Sequence, residues 1–337
     1  MPDFASSFHL SPQFVAAFAT AALATAKVFA VGAAGFYAVW RRFISNEGLS
    51  AVSSLVANLT LPCLIFHRFA TQFDPQTLPG WWKLALMGTA LQIVAVGLGR
   101  LVARRHQNQE TTLLIGYQNA GYFVLPMLQA VLPASQFDRA ALMLFVFIIF
   151  FNSSLWPVAN WALLGKREFD WRAVIFSPPT FVTLIALVVF GLFHDFAHRF
   201  DASIPSRIFL GGAGSPGALQ MVGDLTVPLA TLVLGGAIAR TLAGGLSNVA
   251  GKRASLEIAW WKLVFLPLCG FLILHFWRVD DPALRVLIIL EFAAPPAVNI
   301  AVFCQQFGYP MKLIPTASLL CYAACIVTVP LWVALVM

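Results

Sequence analysis

Two hydrophobic runs, each long enough to cross a bilayer, carry prolines near their middles, and this restricts the fold more than any other feature of the sequence. The first holds Tyr117-Gln118-Asn119-Ala120-Gly121-Tyr122-Phe123-Val124-Leu125-Pro126, the second Glu291-Phe292-Ala293-Ala294-Pro295-Pro296-Ala297-Val298-Asn299. Proline has no N–H for the carbonyl four residues back, and its ring crowds that carbonyl. Pro126 therefore frees the carbonyl of Tyr122, and Pro295 and Pro296 free those of Glu291 and Phe292. Leu125 and Ala294, each before a proline, are biased toward extended geometry. Each run is expected to be a broken helix. Lipid satisfies no backbone hydrogen bond, so both breaks must face protein or water. Discontinuous helices in corresponding places of two halves mark the binding site of a transporter.

The rest of the chain is built for the same environment. Only 10% of its residues are charged and 60% are hydrophobic, against about 25% charged in a soluble domain; mean hydropathy is +0.82. With about 20 apolar residues per span, the sequence divides into ten spans at roughly 20–40, 49–70, 81–103, 111–132, 138–164, 173–193, 218–242, 256–277, 284–304 and 312–336. Residues 1–19 lack the basic start of a signal peptide and read as an interfacial lead-in. The whole chain, 1–337, is thus one multi-pass unit in an all-α membrane protein.

The net charge of +7 reflects topology and does not point to a nucleic-acid partner. Arg41/Arg42, Arg100/Arg104/Arg105, Lys166/Arg167/Arg172, Arg240/Lys252/Arg253 and Lys312 fall on one side of the membrane. The other side has Arg68, Arg139, Arg199/Arg207 and Arg278/Arg285. The richer side is cytoplasmic, which puts both termini outside the cytoplasm, in a plasma (inner) membrane.

An internal repeat is visible. Leu59-Thr60-Leu61-Pro62 returns as Leu225-Thr226-Val227-Pro228, 166 residues further on, and Pro126 and Pro296 are 170 apart. The first repeat is 1–164 and the second 173–336, with five spans in each. An odd number makes the second enter the membrane from the opposite side, a five-plus-five inverted repeat.

The second half of each broken helix begins with unpaired N–H groups and the positive end of a helix dipole. Two such ends facing one another suit a small organic anion, with Asn119, Asn299 and Gln118 adding side-chain donors and acceptors. Glu291 is a carboxylate inside an apolar run and Asp224 lies one turn before Pro228; intramembrane ionisable groups mark ion or proton pathways, so both are candidates for coupling to sodium or a proton. Lys27 lies within the first span, placed either to reach the membrane surface or to face a polar cavity. The five cysteines all fall in apolar runs and make no disulfide framework. His194 and His198 have metal-like spacing without a metal motif, and no Walker loop, GxSxG or HExxH appears. No enzyme, metal or resident cofactor is expected.

The motifs resemble the auxin efflux carrier family, the bacterial relatives of the plant PIN-formed carriers. The marks are Gly35-Phe36-Tyr37 through Arg41-Arg42, Asn46-Glu47-Gly48 leading to Leu61-Pro62, Gly116 through Pro126, Ser177-Pro178-Pro179, Val227-Pro228-Leu229 through Gly235-Gly236, Pro295-Pro296-Ala297-Val298-Asn299 and Pro330. The resemblance implies that spans four and nine cross at their prolines. It implies a scaffold from 20–70 and 173–242 that forms a homodimer, and an elevator-like transport domain from 81–164 and 256–336. The binding residues it implies are Asn119, Pro126, Pro295, Pro296 and Asn299. Family substrates are organic anions, indole acetate in plants and malate-like acids in bacteria. A more distant likeness, to the fold of the bile-acid/sodium symporters, places an acid in span nine beside sodium, as Glu291 would be. Three functions follow: an organic-anion efflux carrier or uniporter, a sodium-coupled symporter, and a membrane sensor that does not transport.

Overall fold

The computed structural model describes residues 11–76, 78, 80–151, 153–165, 171–192, 204–212, 215–243 and 249–337. Its first third runs α1 (Pro12–Trp40), α2 (Asn46–Leu55), α3 (Leu61–Gln72), α4 (Trp82–His106), α5 (Glu110–Gly116) and α6 (Leu125–Val131). Then come α7 (Ala134–Phe147), α8 (Leu155–Leu164), α9 (Trp171–Ile175), α10 (Pro178–Leu192) and α11 (Ile204–Phe209). A two-residue hairpin, β1 (Gly211–Gly212) with β2 (Ser215–Pro216), precedes α12 (Ala218–Gly223), α13 (Thr226–Ala243) and α14 (Val249–Trp260). The chain ends in α15 (Leu266–Trp277), α16 (Pro282–Ala293), α17 (Asn299–Gln306) and α18 (Ile314–Ala334).

Among the described residues six helical stretches are long and apolar enough to cross a membrane: Pro12–Trp40, Asn46–Gln72, Trp82–His106, Ala218–Ala243, Gly251–Trp277 and Ile314–Ala334. The other apolar runs are divided or shorter. The run over 111–132 splits into α5 and the stretch Ala120–Val131; the run over 284–304 splits into α16 and α17. The run over 138–164, expected to be one helix, is interrupted between Phe147 and Leu155. There Ser153 Oγ lies 2.5 Å from Thr180 Oγ1, and the Thr180 hydroxyl donates to the Ile149 carbonyl at 2.8 Å, so side chains take over from the lost ladder.

Three prolines are accommodated in one way. Leu61-Pro62, Leu125-Pro126 and Leu266-Pro267 each follow a five-residue π-helical turn: Val56–Thr60, Ala120–Val124 and Trp261–Phe265. The leucine N–H donates five residues back, to Val56, Ala120 or Trp261. A widened turn shifts the carbonyl that the proline ring would strike. The helix therefore runs on through Pro126, and Leu125 is helical (φ −59°, ψ −49°) rather than extended. The break in the first run is upstream, where Tyr117 is extended (φ −116°, ψ 117°). In the second run the break falls where the prolines place it, with Ala294 extended (φ −67°, ψ 141°).

Packing of α1 on α13 rests on the absence of side chains. A Cβ on Gly35 would sit 2.0 Å from the Leu232 carbonyl oxygen, and one on Gly235 would sit 1.7 Å from that of Gly32. Small residues let membrane helices approach closely, where van der Waals contact rather than water exclusion holds them. Gly97 meets nothing within 4 Å. Gly235→Ala is expected to cost about 1–3 kcal/mol and lower the thermal midpoint of the purified protein by several degrees, with Gly97→Ala unchanged; equal midpoints for both variants and the parent would refute the close contact.

Candidate functional site

The two breaks satisfy each other. Beyond Gly116 the chain leaves the helix at Tyr117, and beyond Ala293 at Ala294; the two extended segments then pair antiparallel, Gln118 opposite Pro296. The Asn119 N–H donates to the Pro295 carbonyl at 2.9 Å and the Ala297 N–H to the Tyr117 carbonyl at 3.0 Å. Pro295 and Pro296 have no N–H to leave unpaired, which is why two prolines suit this position. Tyr322 on α18 completes the crossing: its hydroxyl donates to the Pro296 carbonyl at 2.8 Å and accepts from Asn119 Nδ2 at 2.6 Å. Asn119 Oδ1 accepts the Tyr122 N–H at 3.3 Å, capping the π-helical turn.

Acidic residues at the starts of both broken helices fix the crossing from outside. Glu110, on the first turn of α5, accepts from the N–H groups of Lys312, Leu313 and Ile314 at 2.7, 2.6 and 2.9 Å, so its carboxylate caps α18. Asp281 caps α16 through Ala283 and Leu284 and pairs with Arg139 on α7 at 3.1 Å.

Cavities of about 80, 270 and 420 Å3 adjoin the crossing, and Asn299 and Ala57 line each of these three. The smallest reaches Tyr117, Gln118, Asn119 and Thr226. The second passes Ser153, Pro179 and Thr180. The largest runs past Ser53, Asn58 and Tyr122 to Arg240 and Gln306. Asn299 is half-buried at the start of α17, at the positive end of that helix. Gln118 is fully buried and its side-chain amide has no hydrogen-bond partner. Pro126 is buried in the first turn of α6 and lines none of these three cavities.

The two coupling candidates separate. Glu291 is fully buried, and neither carboxylate oxygen has a hydrogen-bond partner. Asp224 is half-exposed at the end of α12, 4.0 Å from Arg68, which holds Asp138 at 2.7 Å. Asp224 thus belongs to an ion cluster with Arg68 and Asp138 and lines none of the three cavities. The carbonyl end of α5 is met by a lysine from the second half of the chain. Lys262, fully buried in the third π-helical turn, donates from Nζ to the Ile115 carbonyl at 3.0 Å. That carbonyl lies at the negative end of α5, where a cation is stabilised by the helix dipole. Lys262 and Glu291, both fully buried, form no ion pair within 4.0 Å.

Lys262 has a signal in the sequence, a lysine well inside an apolar run; Arg240, which the charge pattern groups with the basic loops, lies buried on α13. Lys27 sits on an exposed face of α1, and His194 and His198 lie outside the described residues. All five cysteines are free.

A family model described as membrane transport protein matches residues 20–168 and 162–333 of the chain. Among curated relatives, PIN-LIKES 3 of Arabidopsis thaliana is 28% identical over 169 residues, 47% of this chain and 40% of the relative. PIN-LIKES 4 of the same plant is 25% identical over 166 residues, 47% of this chain and 38% of the relative. The chain thus spans about two fifths of the length of these relatives. With nearly its whole length matched, the chain belongs to the membrane transport protein family of auxin efflux carriers.

Proposed function

We propose that the protein is a secondary transporter, an efflux carrier or uniporter of small organic anions, which binds its substrate where the two broken helices cross. The observation that carries this reading is the cluster of polar cavities meeting at Asn299, bounded by the crossing on one side and by α2, α10 and α13 on the other. Asn299 and the helix end beneath it meet a carboxylate, Gln118 lines the smallest of the three cavities, and Pro295 and Pro296 keep the crossing extended and paired. Asn119 acts through its cap and Tyr322, and Pro126 through the π-helical turn that precedes it.

The ten hydrophobic runs are read as ten crossings, those with short helices spanning in two pieces. The inverted repeat has structural support in the reciprocal anchoring of its broken helices. Glu110 holds the last helix of the second half, and Asp281 holds α7, which opens the last run of the first half. Cavities between 20–70 and 173–242 on one side and the crossing on the other suit an elevator in which 81–164 and 256–336 move together. A homodimer through the scaffold, a plasma membrane location and both termini outside the cytoplasm complete the reading.

Coupling follows from Lys262. Its Nζ already occupies the carbonyl end of α5, which favours a transporter without sodium at that end, with Glu291 as the proton-carrying candidate. The second reading, sodium symport, is favoured by the unpartnered carboxylate of Glu291. A non-transporting sensor would bind anions at the same place without flux into proteoliposomes.

Asn299→Ala is expected to weaken carboxylate binding about tenfold or more, the weight of one hydrogen bond to a charged group, with the thermal midpoint unchanged; calorimetric titration showing unaltered affinity removes Asn299 from the site. Replacing choline by sodium is expected to leave the thermal midpoint of the purified protein where it was, since a ligand that binds the folded state raises it. A sodium-dependent rise that Glu291→Gln abolishes would establish the symporter reading instead.

A further inference from the structure

Arg240 lines the cavity of about 420 Å3, and binding of a single carboxylate at the crossing leaves it unexplained. It is 9% exposed, on α13, close to the point where that helix ends at Ala243. One guanidinium nitrogen, Nη1, donates to Ser50 Oγ at 3.1 Å, and Nε has no partner. A neutral hydroxyl does not balance a charge. The ion pairs among the described residues engage Arg68, Arg105, His106 and Arg139, each with an aspartate or glutamate, and none engages Arg240. Glu47, the acid on the same helix as Ser50, is exposed and turned toward Ser45.

A buried cation without a counter-ion is costly, and in a membrane protein such a group belongs on a path for ions or substrate. The surroundings of Arg240 fit that role. The cavity it lines has about 420 Å3, within the roughly 300–1,000 Å3 of small-molecule sites. Ser50, Ser53, Ser54, Asn58 and Gln306 share the cavity, and Asn299 lies at its inner limit. Leu49 and Ser50 on the first turns of α2 and Gln306 at the end of α17 put the outer limit on the side of the turn that carries Arg41/Arg42.

We propose that Arg240 is an anion-binding residue for the second charged group of the substrate, so that the transporter selects dicarboxylates over monocarboxylates. This rests on the crossing being the site of the first carboxylate. The guanidinium fork meets a carboxylate in two parallel hydrogen bonds, with the serines of α2 supplying hydroxyl donors beside it. A monocarboxylate fills the crossing and leaves Arg240 unbalanced; a dicarboxylate satisfies both ends. Arg41 and Arg42, in the turn before α2, add positive charge on that side that gathers the anion, and Arg240 is the basic residue lining the cavity itself.

The test uses the full-length purified protein, with succinate, butyrate and phenylacetate as probes, read by calorimetric titration and by uptake into proteoliposomes. The parent is expected to bind succinate about tenfold or more tightly than butyrate, the weight of one charge-assisted contact. Arg240→Gln is expected to remove that preference while leaving butyrate and phenylacetate affinity within about twofold, and Arg240→Lys to restore part of it. Asn299→Ala lowers affinity for all three. Equal losses for succinate and butyrate in Arg240→Gln, or no loss for either, overturn the role of Arg240, as does a parent without preference for succinate. Should the parent bind none of the three acids, it is the anion reading of the crossing that fails, and the assignment of Arg240 falls with it. A matching thermal midpoint for Arg240→Gln and the parent separates a lost contact from a lost fold.

Discussion

Two hydrogen bonds, from the Asn119 N–H to the Pro295 carbonyl and from the Ala297 N–H to the Tyr117 carbonyl, hold together everything that is unusual in this molecule. Breaking a helix in lipid is prohibitive because each freed backbone group has no partner there, at several kcal/mol apiece. Breaking two and pairing the gaps removes most of that penalty at once. The crossing is in effect the shortest possible antiparallel ladder, one bridge long, between Gln118 and Pro296. What remains unpaired is then confined to a few positions, and the fold supplies a side chain for two of them: Tyr322 for the Pro296 carbonyl and Lys262 for that of Ile115.

The periphery keeps those gaps in register. A carboxylate at the start of each broken helix reaches an element of the other half of the chain, Glu110 to the N-terminus of α18 and Asp281 to Arg139 on α7. Three backbone N–H groups on one carboxylate make a charge-assisted cap, stronger than neutral bonds. The π-helical turns before Leu-Pro contribute differently. They let Pro62, Pro126 and Pro267 sit inside continuous helical stretches, so the interruptions that do occur fall where polar side chains and cavities are.

How much of this could be read from the residues depended on whether the information was local. Pro295-Pro296 removes two donors in succession and leaves the helix no alternative, so the break at Ala294 followed from the sequence. Pro126 removes only one, and a π-helical turn absorbs it; the break moved to Tyr117–Asn119, where pairing with the other segment, a tertiary fact, makes an extended backbone stable. The interruption before Leu155 was hidden in the same way, because Thr180 from another helix sustains it. Asp224 looked like an intramembrane acid by its distance from Pro228, yet Arg68 draws it into an ion cluster. Lys262 and Arg240 were each visible as a basic residue near or inside an apolar run. Only the packing showed that one faces a helix end and the other a cavity.

The central claim, that the two interrupted helices meet and pair, is open to direct measurement by crosslinking. Residues opposite one another in an antiparallel pair have Cα atoms about 4.5–5.5 Å apart, within the span a disulfide bridges. In a protein whose five native cysteines are replaced by alanine, Gln118→Cys combined with Pro296→Cys is expected to form an intramolecular disulfide under mild oxidation, seen by mass spectrometry as one crosslinked peptide pair. Two free thiols, both labelled after denaturation of the oxidised sample, would contradict the pairing and the site built on it.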